Sequence, residues 1–221
     1  MFTPRRITTD ELLDEHDAPA ADVERSLRDL RRINRWLGGV GIYRRMVRHL
    51  AGTDGRLAIL DLGTATSDLL QSLRGDHIRV GLDFKIDHLT YGRVERPHVF
   101  RVVGDAKRLP FLDNAVDVVT SAHFFHHFSP DENVGLLDES LRVARIGVAV
   151  NDTERHYVPL SVVRLLSLLR LVGRITRYDA PASVLQGYTH REARAVAART
   201  RADRWKVVAF WPYRFGMILW K

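Results

Sequence analysis

Between residues 57 and 105 three short apolar runs each close on an aspartate: Ile59-Leu60-Asp61, Val80-Gly81-Leu82-Asp83 and Val102-Val103-Gly104-Asp105. Short apolar runs that alternate with helical stretches are the pattern of a parallel sheet built from crossover units, because strands covered on both faces lose the polar alternation of a half-exposed sheet. The pattern predicts strands at Leu57–Leu62, Ile78–Asp83, Val99–Val103, Val116–Ser121 and Gly147–Val150. Helices are expected at Ser67–Arg74, Ile86–Val94 and Pro130–Val143. The last has the clearest start, since Ser129-Pro130-Asp131-Glu132 supplies an N-cap serine, a first-turn proline and a capping-box glutamate.

Two helices precede the first strand. Val23, Leu27, Leu30, Ile33 and Leu37 recur at helical spacing over Asp22–Leu37, which Gly38-Gly39 ends. Ile42, Tyr43, Met46, Val47 and Leu50 share one side of the next segment, before a turn at Gly52-Thr53-Asp54-Gly55. The chain is therefore divided into an N-terminal helical cap, residues 1–55, and a core, residues 56–221, with a helical insertion near 155–188. The two form one compact unit. Within the insertion Val158–Val172 is apolar nearly all the way round, so cover on more than one side is expected. A helix at His190–Thr200 leads to two β-rich runs, Trp205–Trp211 and Phe215–Trp220, which read as a closing hairpin. The expected fold is α/β: a doubly wound, mostly parallel seven-stranded Rossmann-like sheet with an antiparallel C-terminal hairpin.

In such a sheet ligands bind at the carboxyl edge of the strands, where Asp61, Asp83 and Asp105 converge. Gly63 lets the backbone approach a ligand closely, and the helix starting near Ser67 offers free amides to an anionic group. Asp83 can accept both hydroxyls of a ribose, and Asp105 can accept a proton from an exocyclic amine. A dinucleotide site needs glycines at 63, 65 and 68, yet the chain has Gly63, Ala65 and Asp68. Asp68 would set a negative charge against a pyrophosphate, a repulsion on the order of 1 kcal/mol even when solvated. No phosphate-binding loop of the G-x-x-x-x-G-K-[ST] type occurs either.

Composition excludes further classes. Without cysteine there is no disulfide framework, thiolate metal site or thiol nucleophile. The first twenty residues hold no apolar run like a signal-peptide core, and no stretch of about 18 apolar residues appears, so a cytoplasmic protein without a membrane span is expected. The net charge of +7 is carried by arginines that look scattered along the chain. Nucleic acid is therefore not the expected partner.

The runs ILDLGTATSDLL, VGLDF and VVGDAKRLPFLDNAVDVVTSAHFFHHF resemble the class I S-adenosylmethionine-dependent methyltransferases that act on small molecules. The similarity covers about residues 57–152. The family loop reads D-x-G-x-G-x-G, from which Ala65 and Ser67 depart. The resemblance implies S-adenosylmethionine as cofactor and no metal. It places Asp61, Gly63, Thr64 and Ala65 around the methionine part, Asp83 with Phe84 at the ribose, Asp105 with Ala106 at the adenine, and Ser121 beside the sulfonium. The acceptor would meet the methyl group after the fourth strand, where His126 or His127 has the ordinary pKa of a base for a phenol or enol. His123, Asn151, Arg155 and Tyr188 are expected on the acceptor's side. Segments 25–36 and 178–188 resemble bacterial methyltransferases of polyketide-type secondary metabolism. The expected acceptor is a small apolar or phenolic metabolite, methylated on oxygen or carbon by a monomer or homodimer. An RNA acceptor, suggested by the basic charge, and a degenerate binding or scaffold protein, suggested by Ala65 and Ser67, remain as alternatives.

Overall fold

A computed structural model describes residues 3–14, 18–52, 55–91 and 98–221. Its centre is a seven-stranded sheet in the order β3-β2-β1-β4-β5-β7-β6. The strands are β1 (Ala58–Leu62), β2 (Ile78–Asp83), β3 (Val99–Val103), β4 (Val116–Ala122), β5 (Ala144–Thr153), β6 (Arg204–Phe210) and β7 (Arg214–Trp220). The first five pair in parallel, whereas β7 runs antiparallel between β5 and β6. Chain order reverses direction between β1 and β4, so their carboxyl ends flank the crevice that a doubly wound sheet leaves open.

The helices are α1 (Ala20–Trp36), α2 (Gly39–Ala51), α3 (Asp68–Ser72), α4 (Ile86–Tyr91), α5 (Pro130–Val143), α6 (Tyr157–Leu168), α7 (Arg174–Gln186) and α8 (His190–Ala197). Burial splits by sheet face. Leu60, Leu62, Val119 and Val148 face a core shared with Leu137 and Leu141 of α5 and Val196 of α8. Val118, Ala149 and Ile218 meet Ile42, Met46 and Leu50 of α2 on the other face. The Ser129 capping box at the start of α5 forms as expected, with Ser129 Oγ accepting from Glu132 N and the Glu132 carboxylate accepting from Ser129 N.

Three expectations need correction. The fifth strand is longer than Gly147–Val150, because β7 pairs with it from Gly147 to Thr153 and β4 pairs with it from Ala144. The helical insertion expected near 155–188 holds two helices rather than the one read at Val158–Val172, the second being α7, with Pro181 in its interior. The proline leaves the Arg177 carbonyl without its helical donor, and Ser167 Oγ of α6 reaches that oxygen at 3.4 Å. The apolar segment Val158–Val172 is not covered on several sides: α6 buries Leu160 alone. The final turn of the helix expected to reach Val94, and Thr53-Asp54 of the expected Gly52–Gly55 turn, lie outside the described residues.

Candidate active site

The turn after β1 takes a left-handed backbone at three alternate residues: Gly63 (φ 63°), Ala65 (φ 44°) and Ser67 (φ 60°). Glycine adopts this region freely, whereas a residue with a Cβ is disfavoured there by roughly 1–2 kcal/mol. Ala65 and Ser67 thus hold a backbone conformation that glycine adopts without strain. Hydrogen bonds from Thr64 N to Leu82 O (3.1 Å), Ser67 N to Thr64 O (2.7 Å) and Ala65 N to Asp83 Oδ2 (2.9 Å) hold the turn.

Asp83, at the end of β2, is buried, and its Oδ1 accepts from Lys85 N at 3.0 Å. Each oxygen therefore already serves one backbone amide and retains a second lone pair for a ligand hydroxyl. Gly104 N donates to Asp83 O, which sets the loop after β3 beside it. On that loop Asp105 is exposed, Ala106 is buried, and Asp105 Oδ1 accepts from Lys107 N. Phe84 is exposed beside Asp83.

Asp61 is turned toward α2. Thr120 Oγ1 donates to Asp61 Oδ1 at 2.7 Å, and the Tyr43 hydroxyl lies 2.8 Å from that Thr120 oxygen. Burial pushes the Asp61 carboxyl up to about 7, against the lowering effect of Thr120 and Thr64. Opposite the turn, a Cβ on Gly63 would lie 2.5 Å from Phe124 Cδ2, so glycine is required where that ring crosses the backbone.

At the ends of β4 and β5, Ser121 Oγ and both side-chain polar atoms of Asn151 are buried and have no hydrogen-bond partner among the described residues. Leaving buried polar groups unpaired costs about 1–3 kcal/mol each, which a polar ligand at this edge would relieve. With the left-handed turn and the open lone pairs of Asp83 and Asp105, these orphaned atoms fit the polar periphery of S-adenosylmethionine.

The three histidines after β4 have different states. His123, at φ 52°, accepts at Nε2 from Arg214 Nη1 at 2.6 Å. Burial and the arginine's charge hold it down to about 3, so it is neutral with that lone pair engaged. His126 lies with Nδ1 3.0 Å from both oxygens of Asp152, and its Nε2 is 3.4 Å from Glu11 Oε1. Burial alone would lower its pKa, but the two carboxylates raise it to about 10. Two carboxylates around one ring favour its imidazolium form, which leaves His127 as the freer of the two candidate bases. The His127 ring lies against that of His126 at a tilt of 32°, with centroids 4.3 Å apart, and burial together with that neighbouring charge lowers its pKa. His127 is half-buried and neutral at pH 7.

Arg155 and Tyr188 do not join these residues. Arg155 donates to Pro4 O, Gly187 O and the Glu192 carboxylate. Tyr188 donates to Phe128 O, accepts from Asn133 Nδ2 and carries Arg6 over its ring at 4.3 Å. Both are buried supports of a strap that sequence reasoning missed, residues 3–14. Arg6 fixes its start to Gln186 O, His126 O and Phe128 O. Glu11 accepts from Ser183 Oγ and Gln186 Nε2, Leu12 N and Leu13 N donate to the Asp179 carboxylate, and Lys85 Nζ donates to Leu13 O. The strap thus crosses from the histidines to the end of β2. Glu11, His126 and His127 bring their ligand-type atoms within 4.8 Å of one another where it passes.

The arginines are less scattered than the sequence suggested. Arg28, Arg31, Arg32 and Arg35 of α1 and Arg44 of α2 line an open cavity of about 880 Å³ that also touches Asp68.

A methyltransferase-domain family model matches residues 59–147. The chain is 27% identical over 199 residues to a demethylmenaquinone methyltransferase of Renibacterium salmoninarum, covering 88% of this chain and 80% of that protein. Among solved structures, an S-adenosylmethionine-dependent methyltransferase from Aquifex aeolicus superposes with a TM-score of 0.61 at 18% identity, covering 88% of this chain and 97% of that one. A plantazolicin methyltransferase, solved with a monoazolic desmethyl-plantazolicin analogue and S-adenosylhomocysteine, superposes at 0.63 with 12% identity, covering 90% of this chain and 96% of that one. The switch-point edge and these matches support a class I S-adenosylmethionine-dependent methyltransferase.

Proposed function

We propose that this enzyme methylates an oxygen or carbon atom of a small phenolic or quinol-like acceptor. The observation that carries the reading is His127, a half-buried neutral imidazole next to the Phe124 ring, which in turn packs edge-on against Phe128, in the segment that follows β4. An aromatic acceptor suits those rings, and a neutral imidazole suits the removal of a phenolic proton. The relative named as acting on demethylmenaquinone supports the same acceptor chemistry.

When bound, S-adenosylmethionine supplies a methyl group made electrophilic by its sulfonium. The turn Gly63-Thr64-Ala65 with Asp61 and Ser121 would hold its amino-acid part. Asp83 and Phe84 would hold the ribose, and Asp105 with Ala106 the adenine. Asn151 would offer its unpaired amide to the acceptor. Neutral His123, engaged with Arg214, keeps that side of the edge free of net charge beyond the arginine's own. His127 would take the acceptor's proton at a ring nitrogen, and His126, whose ring lies against it at a tilt, would orient it. The strap, tied to His126 O and Lys85, would keep water from this edge, so positioning and desolvation would be the main contributions to rate.

The test is a methylation assay with demethylmenaquinone-like quinols and simple phenols, run beside RNA. Methylation of quinol or phenol and none of RNA is the expected result; methylation of RNA alone overturns the reading. One observation favours RNA, the arginine-lined cavity beside α3, and binding there would weaken steeply with salt.

A further inference from the structure

α6 is an apolar helix whose outer face is left uncovered among the described residues. Val158, Val162, Leu165 and Leu168 are all exposed, Leu168 by 79%, while Leu160, Val163, Leu166 and Ser167 are the more covered positions. The exposed residues recur at spacings of three and four, so they form one stripe along the helix. Leu169 and Leu171 extend it beyond the helix end, both more than half exposed. Exposed apolar surface of this extent on one contiguous element marks an interaction site.

Its charge pattern identifies the kind of surface it meets. From Tyr157 to Tyr178 the chain carries Arg164, Arg170, Arg174 and Arg177 and not one aspartate or glutamate. Arg164 and Arg170 are exposed, while Arg174 lies 3.9 Å from Asp22. Tyr157 and Tyr178, each about half exposed, bracket the segment with rings that have an apolar body and a polar tip. No helix among the described residues is long and apolar enough to cross a membrane. An apolar stripe edged by cations and aromatics, on a helix too short to span, has the chemistry of an element that lies in a lipid headgroup layer.

We propose that α6 docks this enzyme on the surface of an anionic lipid membrane. A second copy of the chain is a poorer occupant, because a two-fold contact sets the same patch against itself and brings arginines toward arginines with no acidic partner in the segment. α6 leaves the carboxyl end of β5, five residues beyond Asp152, so the docked face adjoins the catalytic edge. Docking itself does not depend on the acceptor assignment, and its test needs no methyl transfer.

The experiment is flotation of the full chain with vesicles of phosphatidylcholine alone and of phosphatidylcholine with phosphatidylglycerol. The wild-type protein is expected to float with the anionic vesicles and to be released as salt shortens the screening length. Leu165→Glu combined with Leu168→Glu should lower partitioning at least about tenfold. Ser161→Glu, which places the charge on the same exposed face without removing packing, should act in the same direction, and Leu112→Glu, on a loop between β3 and β4, should not. Absence of wild-type binding, or binding unaffected by the α6 variants, overturns the proposal. So does a wild-type dimer that the α6 variants make monomeric without any vesicle binding.

Discussion

His126 Nδ1 sits 3.0 Å from each carboxylate oxygen of Asp152, and the His126 backbone N–H donates to the same carboxylate at 3.1 Å. One aspartate at the end of β5 therefore fixes both the ring and the backbone of the turn after β4. The ring's other nitrogen faces Glu11 on the strap. A single buried cation thus joins three parts of the chain.

That arrangement sets a pH dependence. His126 is raised from an ordinary value near 6.5 to about 10, so its stabilising contribution is complete below about 6.5 and drains away as pH rises toward 10. Asp152 and Glu11 are lowered, so their contribution is present above the ordinary carboxylate range and is lost as pH falls through it. Urea midpoints measured from pH 3 to pH 10.5 should fall at both ends. His126→Gln, which leaves Asp152 a buried and unpaired carboxylate, should lower stability by about 3–5 kcal/mol at pH 7 and flatten the alkaline limb.

Asp83→Ala removes the acceptor of two backbone amides as well as the proposed ribose contact. Calorimetric titration with S-adenosylmethionine should show binding weakened by about 1–3 kcal/mol, with a lower Tm for the free protein. Unchanged affinity together with a lowered Tm would leave Asp83 as a support of the turn alone.

Gly63→Ala forces a Cβ against the Phe124 ring and strains a residue at φ 63°. A loss of about 2–3 kcal/mol is expected from denaturant unfolding. Combining it with Phe124→Ala should give less than the sum of the single losses, since the second change removes the clash and leaves only the backbone strain. Strict additivity would show that the ring does not lie on the turn.

His127→Ala should lower kcat on a phenolic acceptor by about a hundredfold, with a smaller effect on KM. In the wild-type protein the kcat profile should rise with pH and level off below neutrality, because His127 sheds its proton below its ordinary value. A profile that levels off at the acceptor's own pKa would mean that solvent takes the proton.

Much of the sheet could be read in advance because its signals are local. The strands at 78–83 and 99–103 and the helix at 130–143 have the limits expected, each set by residues within a few positions of the boundary. The strap could not be read this way. Arg6 finds its partners 120 to 180 residues away, and Glu11 meets Ser183 across 172. Neither residue stands in a motif that announces such a contact. α7 was hidden for a different reason, since the donor that repairs its proline lies on a neighbouring helix. The histidines were recognisable as a group, but which of them is charged depends on Asp152, Arg214 and Glu11, and hence on the folded chain.

The left-handed turn after β1 has one more implication. Alanine and serine sample fewer backbone states than glycine, so the unfolded chain has less freedom to surrender at Ala65 and Ser67. Held by Asp83 and the Leu82 carbonyl, the turn is a stiff receptor rather than a flexible one. A ligand that settles on it meets a shape already made, and less of the association energy is lost in ordering the protein.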